Sequence, residues 1–395
     1  MSKSLPVIEM SALETLLSPS LVIFRDRLLA NLDCMLVMAG HPSRLRPHCK
    51  THKMEQIIRL WVEQGVTKHK AATIAECEML AAAGASAVWA GWAQAQVRWP
   101  AKPVTVIVPF PAGGGTDTFA KPLAAQFFKH TGIPMVIEYR GGAGGNAGAS
   151  VAARAAPDGY TLFMGAVHHT IAPAMYPKLD YNIERDFLPI ALVASVPQVL
   201  VVHPKNVPGN YAAFLAQLRA SPGKFTYGSA GGGTSHHLAG ELFKLQSKTF
   251  ITHIPSWGAG PALQDLMAGN VDMVFDGLGS SAAHIKSGRI KALLVAGSKR
   301  SPLLPEVPCA AEVGLPDYNL STWYGLWAPI GTAVDVQERI LADVRSLATA
   351  EEIKLAWAKS GAEFPALSAQ QFAKFVGQEV KRWAAVVKAT GATLD

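Results

Sequence analysis

Two glycine-rich stretches of the chain carry hydroxyl residues, and each stands immediately before a predicted helix. The first reads PFPAGGGTD at 109–117 after a short apolar strand, and the second reads YGSAGGGTSHHLAGELF at 227–243. Glycines let a ligand approach the backbone closely, and a helix start offers unpaired N–H groups and the positive end of the helix dipole. Four residues add hydroxyl donors: Thr116, Ser229, Thr234 and Ser235. The two stretches together predict capture of a carboxylate or another anion, although either one alone is equally consistent with simple turn geometry.

A third glycine run offers an alternative, a dinucleotide site. GGAGGNAG at 141–148 places Gly142, Gly144 and Ala147 at the spacing of the dinucleotide fingerprint, between a predicted strand and a predicted helix. That fingerprint also needs an acidic residue at the end of a strand about 20 residues later, and Asp158 lies in a PDGY turn instead. The sequence therefore favours an anion-binding protein over a nucleotide-dependent one.

Histidines and cysteines form no recognisable catalytic or metal site. His168-His169 and His236-His237 are adjacent pairs, and neighbours on a chain do not face the same way. The four cysteines contain no CxxC pair, and only one of them lies in the second part of the chain. A serine nucleophile would favour a G-x-S-x-G elbow, which the sequence lacks. We therefore expect no enzyme activity, no metal and no cofactor in the second segment.

One short motif in the first 85 residues does suggest cofactor chemistry. RPHCKTHK at 46–53 resembles the cofactor-lysine motif of the D-threonine aldolase and D-serine dehydratase family, and ANL at 30–32 with ATIAECEMLAAAG at 72–84 extends the resemblance. The resemblance implies an alanine-racemase barrel fold in which Lys50 holds pyridoxal phosphate as a Schiff base. Desolvation and neighbouring cations lower the pKa of such a lysine and free its amine for imine formation.

The number of strands argues against that activity. The first segment alternates strands and helices but supplies about three strands, whereas such a barrel needs eight. Three parallel strands with one open face can neither close their edge nor bury their apolar side. We interpret residues 1–85 as an incomplete, truncated β/α barrel fragment and Lys50 as vestigial. Two alternatives remain open: an active, pyridoxal-phosphate-dependent aldolase- or dehydratase-like enzyme, and a fusion product without function.

The elements that must position the two glycine loops alternate between strands and helices. The first helix after a loop starts near Thr116 and ends at Gly132, and strand, glycine turn and helix then repeat. This alternation predicts a parallel sheet with helices on its faces. The bulk composition agrees, because 395 residues with 49% hydrophobic and 16% charged side chains are typical of a globular protein with two domains or more.

The charge balance points to a small anionic partner rather than to nucleic acid. The net charge is +7, but the basic residues are scattered, and the sequence has no basic run and no nucleic-acid-binding module. A positive balance suits an anionic small molecule. The best candidate for a membrane span, at 79–95, is about 17 residues long and rich in alanine and glycine, which is too weak for a span.

Several motifs stand in a fixed order along the last 300 or so residues. They include WPAKPVTVIVPFPAGGGTDTFA, GGAGGNAGASVAARAAPDGYTLFMG and GPALQDLMAGNVDMVFD. This segment resembles the Bug, or TctC-type, extracytoplasmic solute receptors of tripartite tricarboxylate transport systems. The resemblance implies an α/β, two-lobed periplasmic-binding-protein fold, a Venus flytrap that closes on a carboxylate ligand. It also implies the membrane components of such a transporter as partners.

Carried over position by position, the resemblance implies a ligand site between the two lobes. The residues from the first loop are Phe110, Ala112, Gly113, Gly114, Thr116 and Asp117. The residues from the second loop are Ser229, Gly231, Gly233, Thr234 and His236. Ala166 and Asp276, each at a strand end, would line the cleft.

Two departures from a simple anion site bear on the ligand. A carboxylate beside an anionic ligand repels it, so we expect Asp117 and Asp276 to cap N–H groups, bind water, or meet a ligand amine or hydroxyl. Ser256-Trp257 stands where the family usually has Tyr-Lys. The exchange removes a cation, which points to a less highly charged or partly aromatic ligand.

The stretch between the two segments is typical of a bacterial export signal followed by a mature N-terminus. GASAVWAGWAQAQVRWPAKPV at 84–104 lies after some eighty residues, and the residues in front of it are acidic rather than basic. We assign residues 1–85 to the barrel fragment, 86–98 to the signal-like junction and 99–395 to the two-lobed domain. The resemblance implies a periplasmic protein, whereas a chain translated from Met1 without an N-terminal signal is expected to stay in the cytoplasm.

Overall fold

The structure, a computed structural model, describes residues 25–48, 54–71, 74–85, 87–90, 99–205 and 209–394. The chain divides into two units, Met1–Arg98 and Trp99–Asp395. Lys50 and residues 91–98 of the predicted junction lie outside the described residues. Among the residues that are described, no helix has both the length and the apolar character needed to cross a membrane.

The first unit contains a β-α-β arrangement, in agreement with the alternating pattern of its sequence. Its elements are α1 (Arg25–Ala39), α2 (Glu55–Glu63), β1 (Lys68–Ala71), α3 (Ile74–Ala82) and β2 (Ala87–Ala90). The two strands pair in parallel, with Lys68 opposite Ala87, and α3 is the crossover between them. The turn after α2 uses Gly65 at a φ of +79°, where only glycine is free of strain.

Strand β2 is a difference from the sequence-based assignment, because residues 87–90 fall inside the predicted signal-like junction. The apolar run Ala-Val-Trp-Ala has strand character and finds hydrogen-bonding partners along β1. A small core beneath the strands is formed by Ile58, Ala71, Leu80 and Ala83. Within the described residues, two strands and an isolated parallel bridge between His48 and Lys70 make a β-α-β unit. This arrangement does not distinguish a barrel fragment from any other small parallel sheet.

The second unit carries nine strands and ten helices in its described residues. The strands are β3 (Val104–Val108), β4 (Met135–Tyr139), β5 (Thr161–Ala166), β6 (Phe187–Val202), β7 (Thr226–Ser229), β8 (Thr252–Pro255), β9 (Met273–Gly277), β10 (Lys291–Val295) and β11 (Ser321–Pro329). The helices are α4 (Gly115–Thr131), α5 (Asn146–Ala153), α6 (His168–Met175), α7 (Tyr211–Ala220), α8 (Ser235–Ser247), α9 (Ala259–Ala268), α10 (Leu278–Lys286), α11 (Val334–Ala348), α12 (Glu351–Ala358) and α13 (Ala369–Thr390).

These elements form two lobes, each built on its own part of the sheet. In lobe 1 the strand order is β4-β3-β5-β11-β6, with β3 parallel to both β4 and β5. In lobe 2 the order is β6-β9-β7-β8, with β10 also paired to β6. The sheet is mixed rather than purely parallel, because β11 runs antiparallel to β5 and β6, and β9 runs antiparallel to β6.

Strand β6 connects the lobes because it is long enough to belong to both. It spans 16 residues, pairing with β11 through Pro197 and with β9 from Gln198 onward. The chain returns to lobe 1 beside this point, where the Gln198 N–H donates to the Leu320 carbonyl at 3.1 Å. Two adjacent crossings form a hinge, and the predicted two-lobed α/β architecture is confirmed.

The two predicted helices behind the glycine loops begin as the sequence predicts. Helix α4 has Gly114 as its N-cap and ends at Gly132 in the left-handed conformation, φ 72°. Helix α8 has Thr234 as its N-cap, and the Thr234 side chain accepts a hydrogen bond from the His237 N–H. Both helix starts are buried, so their unpaired N–H groups lie inside the unit rather than in open water.

Candidate functional site

Loop 1, residues 109–117, is held in shape by Asp117. The Asp117 carboxylate is 3% exposed and accepts hydrogen bonds from the Gly113 N–H (2.9 Å), the Tyr139 hydroxyl (2.6 Å) and the Lys121 ammonium (2.8 Å). An ammonium partner offsets the cost of burying the charge, and the contact with the Gly113 N–H ties the loop to the first turn of α4. Asp117 therefore orders loop 1 from within lobe 1, which is one of the roles its sequence position suggests.

The residues of loop 1 that the sequence predicts as site residues differ in exposure. Ala112 and Gly113 are exposed, whereas Gly114 and Thr116 are buried. The Thr116 hydroxyl makes no hydrogen bond to any residue that the structure describes, although its side chain is only 3% exposed. Phe110 is also buried, and its ring meets the His168 ring edge-on at a centroid distance of 5.1 Å.

Loop 2, residues 229–236, is shaped by two of its own hydroxyls. The Ser229 Oγ accepts from the Gly231 N–H at 3.0 Å and lies 2.7 Å from the His253 Nε2. The Thr234 hydroxyl donates to the Gly231 carbonyl at 2.7 Å. Gly231 and Gly233 have φ values of +124° and +72°, which a side chain would strain. The Ser229 and Thr234 hydroxyls are therefore hydrogen-bonded to protein atoms of the loop and, for Ser229, to His253.

The two lobes touch each other along the cleft. The Ser235 N–H, at the start of α8, donates to the His168 Nδ1 of lobe 1 at 2.9 Å. The Tyr176 hydroxyl of lobe 1 donates to the Gly232 carbonyl of loop 2 at 2.8 Å. A Cβ placed on Gly144 would lie 2.8 Å from the same carbonyl oxygen, so the backbones meet without side chains between them.

This contact explains the third glycine run, which the sequence left open as a dinucleotide fingerprint. A Cβ on Gly145 would lie 2.8 Å from the Phe110 Cζ, and Asn146 accepts from the Tyr181 hydroxyl at 2.6 Å. The run is packed against protein atoms on several sides, and Gly144 faces loop 2. Its glycines let the two lobes approach each other closely, and the glycine spacing of the dinucleotide fingerprint also serves this purpose.

Asp276 lies at the end of β9 with no part of its side chain exposed. Its carboxylate accepts hydrogen bonds from the Ser280 and Ser281 hydroxyls, each at 2.8 Å, and its Oδ1 lies 3.5 Å from the His236 Nε2. Burial raises the pKa of Asp276 to about 7, while the hydrogen bonds from Ser280 and Ser281 act in the opposite direction. Asp276 is thus a carboxylate that gains and loses its proton near neutral pH.

The histidines beside Asp276 are uncharged at neutral pH. Burial lowers the pKa of His236 to about 4. Burial also lowers the pKa of His168 well below its usual range, and the neighbouring His236 and His169 add to that effect. The rings of His168 and His236 meet edge-on at a centroid distance of 5.6 Å. Among the described residues, no lysine or arginine is paired with Asp276 or with these histidines.

Three buried polar atoms at this interface have no hydrogen-bonding partner in the described structure. They are the Ser235 Oγ, the His236 Nδ1 and the Gln198 Oε1. An unpaired buried polar group costs roughly 1–3 kcal/mol, so such groups are usually satisfied by water or by a ligand. Ser235 and His236 are the first two residues of α8, directly beside loop 2. The arrangement can therefore hold a small polar molecule with neutral donors and acceptors.

The structure brings most of the predicted site residues to the lobe interface. Loop 2 contacts Gly144 and Tyr176 of lobe 1, His236 and Asp276 lie next to each other, and Ala166 is fully buried where β5 ends beside His169. Ala112 and Gly113 are exposed, but their backbone atoms lie against the start of α9, where a Cβ on Gly260 would lie 3.1 Å from the Ala112 carbonyl oxygen. A Cβ on the neighbouring Gly114 would lie 3.6 Å from the Cβ of Ala259 in lobe 2.

Several residues of the interface were not among those predicted. They are His168, Tyr176, Gln198, Ser235, Ser280, Ser281 and Tyr324. Tyr324 lies between the lobes, because a Cβ on Gly115 would overlap its hydroxyl and its own pKa is raised by burial and by the charge of Asp276. For His168 a usable signal was present, since it follows the strand that ends at Ala166. Tyr324 and Gln198 give no local signal.

Outside this interface, the described residues of the unit offer no metal site, and their large cavity is mainly apolar. The described residues contain no group of three or more His, Cys, Asp or Glu placed to hold a metal ion. A cavity of about 720 Å³ lies elsewhere, lined mainly by apolar side chains of α10 and α12 and of the loop at 303–306. It contains none of the predicted site residues, and it lacks buried polar atoms that would orient a small polar ligand.

The second unit is similar to proteins of a known family. The family model described as "Tripartite tricarboxylate transporter family receptor" matches residues 119–392. Protein BugT of Bordetella pertussis is 36% identical over 298 residues, which are 75% of this chain and 91% of that protein. The first unit lies outside the residues that the family model matches, so the comparison gives no support to a fused aldolase-like enzyme.

Three solved structures are similar to the second unit. The periplasmic binding protein BugD is 31% identical with a TM-score of 0.72, covering 75% of this chain and 99% of that one. Rpa4515 of R. palustris with adipate is 33% identical with a TM-score of 0.72, covering 75% and 99%. MatC of Rhodopseudomonas palustris with bound malate is 34% identical with a TM-score of 0.70, covering 73% and 100%.

Proposed function

The chain belongs to the tripartite tricarboxylate transporter receptor family, and from that premise we propose that its second unit binds a carboxylate between loop 1 and loop 2. The family is one of solute receptors rather than enzymes, in agreement with the absence of a catalytic constellation in the sequence. The relatives with bound malate and adipate support a small dicarboxylate as the first class of ligand to test.

The observation that carries the proposal is the pair of buried helix starts with unsatisfied polar groups beside them. Helices α4 and α8 both begin at the lobe interface, and each start offers N–H groups and a positive dipole end to an anion. The unpaired Ser235 Oγ and His236 Nδ1 flank the start of α8. Thr116, whose hydroxyl is free of protein partners among the described residues, flanks the start of α4. A carboxylate held between them would satisfy groups from both lobes.

No lysine or arginine is paired with Asp276, His168 or His236 among the described residues, and this limits the charge of the ligand. Each ligand carboxylate would be held by neutral donors, which tolerate one buried anionic group better than several. Trp257 is 81% exposed, and Ser256 beside it is engaged with Asp265 at 3.0 Å. Trp257 therefore leaves an aromatic surface near the cleft mouth, which suits a ligand with an apolar or aromatic portion beyond its carboxylate.

The proposal is tested by the melting temperature of the full chain with a panel of malate, adipate, citrate, aspartate and benzoate. A ligand at about 100 times its dissociation constant adds about 2.7 kcal/mol to the stability of the unit that binds it. We expect a clear shift with one class and a reduced shift in Thr116→Val. The matched control is Thr349→Val, which removes an exposed hydroxyl at the end of α11. A cooperative melt without a shift for any member of the panel would refute the carboxylate assignment.

We propose further that the receptor acts in the periplasm and delivers its ligand to the membrane components of a tripartite transporter. The support is the family itself and the similarity to a periplasmic binding protein, BugD. Expression in a Gram-negative host followed by fractionation tests this. Recovery of the receptor only from the cytoplasm would contradict it.

For the first unit we propose a truncated fragment of an alanine-racemase-like barrel in which Lys50 no longer holds a cofactor. The support is the RPHCKTHK motif together with the β-α-β order of residues 68–90. Addition of pyridoxal phosphate to the full chain should give no imine absorbance. An absorbance that disappears in Lys50→Ala would instead favour the alternative, a pyridoxal-phosphate enzyme.

A further inference from the structure

Asp276 is a buried carboxylate with only neutral partners in the described structure. From α10 it receives the Ser280 and Ser281 hydroxyls, and from α8 it faces the His236 imidazole at 3.5 Å. The titratable group that approaches from β11 is the Tyr324 phenol, which is protonated at neutral pH because burial raises its pKa. Beyond His236, the His168 imidazole of α6 is neutral as well. An ionised Asp276 thus has hydrogen bonds but no opposite charge.

The unpaired atom of His236 connects this carboxylate to the ligand site. When Asp276 is ionised, the His236 Nε2 carries the proton and faces the Oδ1, so the Nδ1 is a bare acceptor. That Nδ1 is buried and has no partner among the described residues. A ligand carboxylate is itself an acceptor, and it cannot bond to a bare Nδ1. It would also place a second negative charge near a buried carboxylate that has no cationic partner among the described residues.

Both conflicts are removed by a single proton. We propose that the receptor takes up one proton with each carboxylate ligand, and that the Asp276–His236 pair holds it. This inference rests on the proposed function of the same site. The proton comes from the buffer and is added to the His236 Nδ1, while the Nε2 proton passes to the Asp276 Oδ1. The Nδ1–H then donates to the ligand carboxylate, the Oδ1–H donates to the Nε2, and both residues of the pair are neutral.

The pair gives the receptor a definite dependence on pH. Burial already raises the pKa of Asp276 to about 7, and a bound carboxylate raises this pKa further, because like charges favour the protonated form. Above pH 7 the free receptor must acquire the proton on binding, so the dissociation constant rises by up to about tenfold for each pH unit. Simple carboxylates are fully ionised throughout this range, so the ligand contributes no pH dependence of its own.

The experiment is isothermal titration calorimetry of the full chain with malate and with adipate at pH 8, in phosphate and in Tris. These buffers differ in their heat of ionisation, so the difference between the two observed heats counts the protons taken up. We expect between about 0.5 and 1 proton for each ligand bound and an affinity that falls several-fold between pH 7 and pH 8. This measurement on the unaltered protein does not depend on the folding of any variant.

Two variants identify the group that takes the proton. Asp276→Asn should still bind the ligand, with no proton uptake and with an affinity that is flat between pH 7 and pH 9. Asp265→Asn is the matched control, because Asp265 is a half-buried carboxylate of the same lobe that bonds to Ser256 and Asn270. It should keep the proton uptake of the unaltered protein.

The possible results separate this inference from the function on which it rests. Binding without proton uptake, and with an affinity independent of pH, would overturn the inference and leave the carboxylate receptor intact. Proton uptake that persists in Asp276→Asn would place the proton on another group and would also overturn it. Failure of both acids and of the rest of the panel to bind at any pH would remove the proposed function, and this inference with it.

Discussion

The hydrogen bond from Tyr176 to Gly232 provides a direct test of how lobe closure contributes to affinity. The Tyr176 hydroxyl lies in lobe 1 and donates to the carbonyl of loop 2 at 2.8 Å. Because this bond joins the two lobes, we expect Tyr176→Phe to destabilise the arrangement in which they touch. A neutral hydrogen bond contributes a net 0.5–1.5 kcal/mol, and Tyr176 is only partly buried, so we take about 1 kcal/mol as the loss. Since we propose that the ligand is held between the touching lobes, this loss corresponds to about a fivefold weaker affinity.

The measurement is the dissociation constant from calorimetry with whichever acid of the panel binds, together with the radius of gyration from small-angle scattering. Tyr160→Phe is the matched control, since its hydroxyl accepts from the Ala101 N–H within lobe 1 and crosses no interface. We expect Tyr176→Phe to weaken binding by about two- to twelvefold, with a larger ligand-free radius, and Tyr160→Phe to bind as the unaltered protein does. Equal affinities for all three proteins would refute the reasoning, and so would equal weakening in both variants.

Two further predictions concern stability. Glu379→Ala should lower the free energy of unfolding by about 2–5 kcal/mol. The buried Glu379 carboxylate accepts hydrogen bonds from the indole N–H groups of Trp323 and Trp383 at 2.8 and 3.1 Å, and both would lose their partner. Denaturant unfolding measures the loss, and a loss below about 1 kcal/mol would contradict the prediction. His169 is fully buried, and burial lowers its pKa from 6.5 to about 4. The unfolded chain therefore takes up this proton first, so stability is complete above pH 6.5 and is lost as the pH falls toward 4. At pH 5 the loss amounts to about 2 kcal/mol, so His169→Gln should lose about that much less than the unaltered protein between pH 7.5 and pH 5, and equal losses in both would contradict the prediction.

Local sequence was sufficient to predict the order of elements around the two glycine loops. A short apolar strand, a glycine run, hydroxyl residues and a helix follow each other within about 20 residues, and each step depends on neighbouring backbone geometry. The structure confirms this order around Gly114 and Thr234, where α4 and α8 begin. The same locality explains why Gly132 was recognised as a helix end.

Prediction from local sequence patterns failed where the structure depends on a contact between residues far apart in the chain. The run 141–148 has the spacing of a dinucleotide fingerprint, yet its glycines allow lobe 1 to touch Gly232, which lies more than eighty residues away. Residues 87–90 read as part of a signal, but pairing with β1 makes them a strand. The prediction of a parallel sheet was also wrong, because the direction of β11 depends on where the chain returns from lobe 2.

For this protein the sequence alone determined the elements, the two glycine loops and the neutral, hydroxyl-rich character of the site, because these depend on residue type and on neighbours within one or two turns. Only the tertiary structure decided which groups meet. His168 of lobe 1 contacts Ser235 of lobe 2 because β6 and β11 carry the chain from one lobe to the other and back, whereas His236 contacts Asp276 within lobe 2 because α8 packs against β9. The raised pKa of Asp276 likewise depends on tertiary packing, since burial is its main cause and the carboxylate has hydroxyls around it and no cationic partner among the described residues.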